Sequence, residues 1–300
     1  MKQTKYIWMD GKFVPWKRAT VHVLSHSLHY GSAVFEGIRV YSTPYGSAIF
    51  RLDEHVKRLF HSASVMGMRL NLSQDAMKKI IIKTVKTNKL RAGYIRPLVY
   101  YGYGKMGLSV QGAPVRISVS CWPWGAYLGD KPVKVMVSDI TRINPKASVP
   151  SAKISGSYFN SILASEDAKA KGFDEAILLD DQGYVAEGPG ENVFIVKNNV
   201  LMTPKVGNIL PGVTRDAILT LAQELGIKVS EEHIKKADLY KADEAFYTGT
   251  ATEISPIIFI DKHKIGSGKV GPVTARLQQV FKEVVSGKDY RYRDWLTLVR

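Results

Sequence analysis

Three hundred residues, 45% hydrophobic and 23% charged, describe a soluble globular chain of one large or two medium domains with material for a sizeable core. The net charge of +15 rests on dispersed Lys and Arg with no basic tail, so it predicts a solvated surface that favours small anions rather than nucleic acid. One cysteine (Cys121), no apolar leader before Asp10 and no run of about 18 apolar residues exclude a disulfide framework, a signal peptide and a membrane-spanning helix, and point to a reducing, cytoplasmic compartment.

Residues 6–9 and 12–14 read as a hairpin, because Asp10-Gly11 supplies the positive φ angles of a two-residue turn. His22, His26 and His29 have the spacing of a ligand face on a helix. Val21-His22-Val23-Leu24 looks extended, however, so hydrogen-bonding roles and no metal are expected. Residues 48–52 read as a strand that ends before Asp53, the expected cap of a helix carrying Val56, Leu59, Phe60 and Ala63. Ser73 caps a second amphipathic helix reaching about Lys89. Strands follow over 94–101 and 115–122.

This pattern predicts an α+β domain over residues 1–124 and a connector over 125–132. A larger, β-rich domain is expected over 133–300. Its predicted strands are 133–138, 175–179, 184–187, 193–196 and 200–202, with helices over 157–171, 214–225 and 273–285. Asp181-Gln182-Gly183 and Asn198-Asn199 mark turns. There is no internal repeat and no P-loop.

The segment Ser151-Ala152-Lys153-Ile154-Ser155-Gly156-Ser157-Tyr158 sets one lysine among small, uncharged neighbours at the start of a helix-like run. A surface lysine at a loop-to-helix junction is the plainer reading. A poorly solvated ammonium also gives up its proton more readily and then serves as an amine nucleophile or base. Four further segments combine glycines, small residues and single polar groups. Glu187-Gly188-Pro189-Gly190-Glu191-Asn192 lies between strands, and Leu210-Pro211-Gly212-Val213-Thr214-Arg215 opens a helix. Thr248-Gly249-Thr250-Ala251-Thr252-Glu253 closes a strand, and Glu54-His55-Val56-Lys57-Arg58-Leu59 sets an arginine on early helical turns. Taken singly, each reads as a cap or a solvated turn. Together they outline a phosphate-bearing cofactor with an amine and a carboxylate beside it.

These motifs occur in order with Tyr30-Gly31-Ser32-Ala33-Val34-Phe35-Glu36-Gly37-Ile38-Arg39, Tyr94-Ile95-Arg96-Pro97 and Trp124-Gly125-Ala126-Tyr127. From Tyr6 to about Phe281 the chain resembles the branched-chain amino acid aminotransferases, fold-type IV enzymes of pyridoxal 5'-phosphate (PLP). The resemblance implies two domains with the active site between them, and a homodimer or higher homo-oligomer. It implies that Lys153 is the Schiff-base lysine and proton shuttle, that Glu187 faces the pyridine nitrogen, and that Tyr158 bonds the phenolic oxygen. Arg58 then matches the phosphate arginine. Leu210, Gly212, Val213, Thr214, Gly249 and Thr250 match the remaining cofactor positions.

On the substrate side, Tyr94 and Arg96 share one strand face. The resemblance assigns Tyr94, with the Thr250 and Ala251 backbone, to the α-carboxylate, and Arg96 to the γ-carboxylate of glutamate. Tyr30, Phe35, Trp124 and Tyr127 would wall the pocket, with Gly37 and Arg39 beside them. Met106 and Leu108 match positions that reach a neighbouring subunit. The expected reaction moves the amino group between L-Leu, L-Ile or L-Val and 2-oxoglutarate. D-amino acid or (R)-amine transamination is the alternative within the group, although the arginine-x-histidine pattern of D-amino acid aminotransferases is missing. A basic binding protein that keeps the fold is the alternative outside it. Ile154-Ser155 after the lysine is a small departure from the bacterial pattern.

Overall fold

The computed structural model describes residues 2–125, 128 and 131–300. In chain order the first part carries β1 (Tyr6–Met9), β2 (Lys12–Pro15), α1 (His26–Tyr30), β3 (Ala33–Phe35) and β4 (Ile38–Thr43). It continues with β5 (Gly46–Phe50), α2 (Leu52–Val65), α3 (Gln74–Thr87), β6 (Gly93–Tyr101) and β7 (Val115–Trp122). There follow β8 (Val133–Val137), α4 (Tyr158–Ala170), β9 (Glu175–Ile177), β10 (Asn192–Lys197), β11 (Val200–Pro204) and α5 (Val213–Glu224). The last elements are β12 (Lys228–Glu232), α6 (Lys236–Leu239), β13 (Glu244–Gly249), β14 (Glu253–Ile260), β15 (His263–Lys264), α7 (Pro272–Val285) and β16 (Leu296–Leu298).

Two compact units divide the chain, the first leaving off after Gly125. Ala152–Ser157 and Glu283–Arg300 belong to the first unit rather than to the 133–300 stretch expected from sequence. The reason is strand pairing: Ile154 bridges Val34, and β16 pairs with β5 through Leu296↔Phe50.

In the first unit the sheet runs β16-β5-β4-β6-β7-β1-β2, with β3 also on β6. Asp10 (φ +45°) and Gly11 (φ +96°) make the expected tight turn between β1 and β2. β3 and β4 lie along the same edge of β6 and break at Glu36-Gly37. There the Glu36 N–H donates to Pro97 O (3.0 Å), and Pro97 has no N–H to return. Ser73 caps α3 as predicted, accepting from Ala76 N at 3.1 Å. The cap expected at Asp53 falls instead on Arg51, in the left-handed region (φ +49°), and Asp53 sits in the first turn of α2. Val56, Leu59 and Ala63 of α2 pack with Ile81 and Val85 of α3 against Ile38, Ile95 and Val119 of the sheet.

The second sheet runs β12-β11-β10-β13-β14-β8-β9, with β15 on β14. β11 and β12 are parallel, which requires a crossover, and α5 supplies it. α5 buries Val213, Ala217 and Leu221 on one face, four residues apart. Asn198 (φ +51°) and Asn199 (φ +61°) form the turn from β10 to β11. The strand predicted over 184–187 does not form. Asp180 gathers Gln182 N (3.0 Å) and Tyr184 N (2.9 Å), and only the isolated bridges Leu179↔Val185 and Tyr184↔Lys235 remain. Among the described residues no helix is long and apolar enough to cross a membrane.

Candidate active site

Small residues around Lys153 let its backbone lie close to the rest of the first unit. Lys153 O accepts from Phe35 N at 3.1 Å, and Lys153 N donates to Ser62 Oγ at 2.9 Å. Ser62 in turn donates to Arg58 O at 2.8 Å, so α2 and β3 both grip the lysine. Gly156 N donates to Gly31 O at 3.0 Å, and a Cβ on Gly31 would stand 2.7 Å from Gly156 Cα. Gly31 also has φ +63°, so only glycine serves there. The Lys153 amine lies 5.0 Å from the Phe35 ring centroid, a cation–π geometry.

Arg96 sits over the same Phe35 ring (4.6 Å) and over Tyr94 (5.4 Å), as the shared strand face predicts. Its Nε is buried without a hydrogen-bond partner, and among the described residues no carboxylate lies within 4.0 Å of its guanidinium. Tyr94 is buried against Trp122 (5.4 Å) and Trp124 (4.7 Å). Gly37 has to be small because a Cβ there would come within 1.7 Å of the Tyr94 hydroxyl. Arg39 donates to the carbonyls of Trp124 (3.2 Å) and Gly125 (2.9 Å) and so ties down the start of that segment. Tyr127 lies outside the described residues.

Arg58 forks onto Glu36, with Nε to Oε1 at 2.6 Å and Nη2 to Oε2 at 2.9 Å. His55 Nδ1 adds a bond to Oε2 at 2.8 Å. Glu36, His55 and Ser62 were missed as site residues in the sequence. The signal was there, since His55, Arg58 and Ser62 are spaced by three and four on one face of α2.

The exposed side of the first unit carries Tyr30, Met106 and Leu108. Gly107 is held at both ends of its peptide: its N–H donates to Tyr30 OH (3.3 Å) and its carbonyl accepts from His26 Nε2 (2.8 Å). Leu108 is 86% exposed. His22 accepts from Leu24 N (3.0 Å), and His29 Nε2 meets Val23 O (3.0 Å), so the three histidines have hydrogen-bonding roles.

In the second unit Glu187 is buried and held at both oxygens. Arg142 Nε donates to Oε1 at 2.6 Å, while Leu210 N (3.1 Å) and Asn192 Nδ2 (3.2 Å) donate to Oε2. Arg142 had no sequence signal, and Asn192, the last residue of the Glu187 segment, had no role assigned, because each meets Glu187 only through the fold. Asn192 also donates to Leu210 O at 2.9 Å, and a Cβ on Gly212 would lie 2.0 Å from Asn192 Oδ1. Gly212 is the N-cap of α5 and offers no side-chain cap to the helix start at Val213 and Thr214. Gly249, the last residue of β13, and Thr250 and Ala251 of the turn that follows are partly buried, and the hydroxyl of Thr248 is buried without a partner. Tyr158 is the first residue of α4 and is half-buried.

Taken unit by unit, these groups are of the kinds that PLP takes. An uncapped helix start with a glycine that admits no Cβ and, in the same unit, a buried unpartnered hydroxyl are donors suited to a phosphate. A carboxylate fixed by donors on both oxygens suits a pyridinium nitrogen. An amine against an aromatic face suits a carbonyl carbon. Among the described residues no group of three His, Cys, Asp or Glu side chains is arranged for a metal.

Comparison with known proteins agrees in sequence and in backbone. A family model described as "Amino-transferase class IV" matches residues 33–260. The branched-chain-amino-acid aminotransferase of Pseudomonas aeruginosa is 48% identical over 298 residues, covering 98% of this chain and 97% of the relative. The crystal structure of a T.th. branched-chain amino acid aminotransferase complexed with N-(5'-phosphopyridoxyl)-L-glutamate superimposes with a TM-score of 0.97 at 43% identity, over 100% of both chains. The same T.th. protein complexed with 4-methylvaleric acid gives a TM-score of 0.96 at 42% identity, again over 100% of both chains.

Proposed function

We infer that this chain, which belongs to the amino-transferase class IV family, is a PLP-dependent transaminase of L-branched-chain amino acids. It moves the amino group of L-Leu, L-Ile or L-Val to 2-oxoglutarate, giving the branched-chain 2-oxo acids and L-glutamate. The observation that carries the reading is Arg96, a cation set over Phe35 and Tyr94 with a buried, unpartnered Nε. A site for both substrates has to take a carboxylate and an alkyl group in turn. Arg96 is the receptor for the γ-carboxylate of glutamate, and the Phe35, Tyr94 and Trp124 rings offer apolar surface to leucine. Ligands of the T.th. relative support this, one built on glutamate and the other with the carbon skeleton of leucine.

Bound PLP supplies an aldehyde and an electron-withdrawing ring. Lys153 carries it and, as a free amine, takes the proton from the substrate Cα. Glu187, oriented by Arg142, Asn192 and Leu210 N, keeps the ring nitrogen protonated. Tyr158 bonds the phenolic oxygen. Arg58, Val213, Thr214 and Thr250 hold the phosphate, with Gly212 and Gly249 letting backbone N–H groups approach it. Tyr94 and the Thr250-Ala251 backbone would orient the α-carboxylate of the substrate.

The working form is a homodimer or higher homo-oligomer in the cytoplasm. Val23, Leu28, Tyr103, Met106 and Leu108 present large apolar side chains to solvent within one unit, which an assembly would cover. Borohydride reduction of the purified yellow protein, followed by peptide mapping, should place the cofactor on Lys153. Lys153→Ala should lose L-leucine transamination. Normal turnover by that variant would remove the assignment. Sedimentation as a monomer at assay concentration would remove the oligomer.

A further inference from the structure

Glu36 is 0% exposed and is the one buried carboxylate among the described residues of the first unit. Taking an ionised carboxylate out of water costs several kcal/mol unless its lone pairs are met. Here four donors meet them: Arg58 Nε (2.6 Å) and Nη2 (2.9 Å), His55 Nδ1 (2.8 Å) and the Gly37 N–H (3.3 Å). Burial pushes the Glu36 carboxyl up, but the Arg58 charge and the bonds from Arg58 and His55 outweigh it, so Glu36 stays ionised well below the usual carboxylate range. Burial also lowers the His55 pKa, which leaves a neutral imidazole donating through Nδ1.

Replacing a buried ion pair by apolar groups of similar volume is often neutral or stabilising, so stability alone does not account for this one. The arrangement makes more sense as a way to hold Arg58. A free arginine side chain gives up rotamer entropy when it is ordered. Fixed in advance by the Glu36 fork, it loses little of that on meeting a ligand. The break between β3 and β4 at Pro97 brings Glu36 to face α2.

We propose that Glu36, backed by His55, is a positioning residue that presets the Arg58 guanidinium for the phosphate of the cofactor. This rests on the assignment of Arg58 to the phosphate made above. The test uses the full chain, depleted of cofactor and titrated with PLP or with pyridoxal, which lacks the phosphate. Glu36→Gln, Arg58→Met and the double variant are compared, with folding checked by circular dichroism. Glu36→Gln should weaken PLP about tenfold, the loss of one bond between charged groups, and change pyridoxal by less than about twofold. In the Arg58→Met background the same change should add nothing. If Glu36→Gln does not fold, Glu36→Asp, which keeps the charge but retracts the carboxylate, should show the same selective loss. If Arg58→Met weakens both ligands alike, the phosphate assignment of Arg58 fails. If Arg58→Met is selective for PLP but the Glu36 variants leave PLP unchanged, tighten it, or weaken both ligands alike, the positioning role fails and the assignment of Arg58 stands.

Discussion

Replacing Gly37 by alanine puts a methyl group where the Tyr94 phenol already lies. The added Cβ would stand 1.7 Å from the hydroxyl and 2.6 Å from Cζ. Non-bonded heavy atoms settle near 3.5 Å, so roughly 1.8 Å has to be found. Neither side yields readily. Tyr94 is 5% exposed, wedged against Trp122 and Trp124, on a strand paired along both edges. Gly37 follows Glu36, which Arg58 and His55 hold. Overpacking of this kind costs about 1–3 kcal/mol, a fall in thermal midpoint of roughly 2–5 °C for a chain of this length. The displaced hydroxyl is also the proposed contact for the substrate α-carboxylate. Losing a bond to a charged group lowers kcat/KM for L-leucine by about 10- to 100-fold. Gly190→Ala is the control: nothing lies within 4 Å of its added Cβ, and the change should stay within about 0.5 kcal/mol. Tyr94→Phe in the Gly37→Ala background removes the nearer clash and should recover part of the midpoint. Steady-state kinetics with 2-oxoglutarate and a thermal melt decide it. An unchanged midpoint and an unchanged kcat/KM in Gly37→Ala would refute the close approach.

Three other outcomes follow from the same geometry. Arg96→Met should lower kcat/KM for L-glutamate about 10- to 100-fold more than for L-leucine; equal losses would deny Arg96 its part in binding the γ-carboxylate. Gly212→Ala should push Asn192 off Glu187 and Leu210, with weaker PLP binding in an absorbance titration as the readout; unaltered affinity would count against the Asn192 link. His55, held by burial below its ordinary value of 6.5, binds its proton more readily when unfolded. Its contribution to stability is therefore complete above about pH 6.5 and is lost on acidification, at up to about 1.4 kcal/mol per pH unit. Glu36, also depressed, adds its loss only at more acid pH. Urea denaturation from pH 7 to 5 should show a flatter acid limb for His55→Asn than for the parent, and identical limbs would contradict the buried neutral histidine.

The elements legible in the sequence were those whose causes are local. Asp10-Gly11 announces its hairpin, Ser73 its helix, and the alternation over 115–122 its strand. Elements fixed by distant partners were not legible. β12 is a half-exposed Lys-Val-Ser-Glu-Glu run made a strand by parallel pairing with β11, and β16 is three residues held by β5. Arg51 caps α2 in a conformation that nothing in Phe50-Arg51-Leu52 suggests. The same division runs through the site. Lys153, Glu187 and the Gly212-Val213-Thr214 start stand out for small neighbours and turn chemistry. Glu36 and Asn192, both buried, and the half-buried Arg142 meet their polar partners across 22, 5 and 45 residues, and only the fold brings each to its mate.

The most direct measurement is a half-reaction panel on the purified holoenzyme, following cofactor absorbance with L-leucine, L-glutamate, D-alanine and (R)-1-phenylethylamine separately. Both L-leucine and L-glutamate should convert the cofactor, each faster than the D or R compounds. A D-amino acid or (R)-amine that reacts faster than L-leucine, or no conversion by L-glutamate, would contradict the L-branched-chain transaminase.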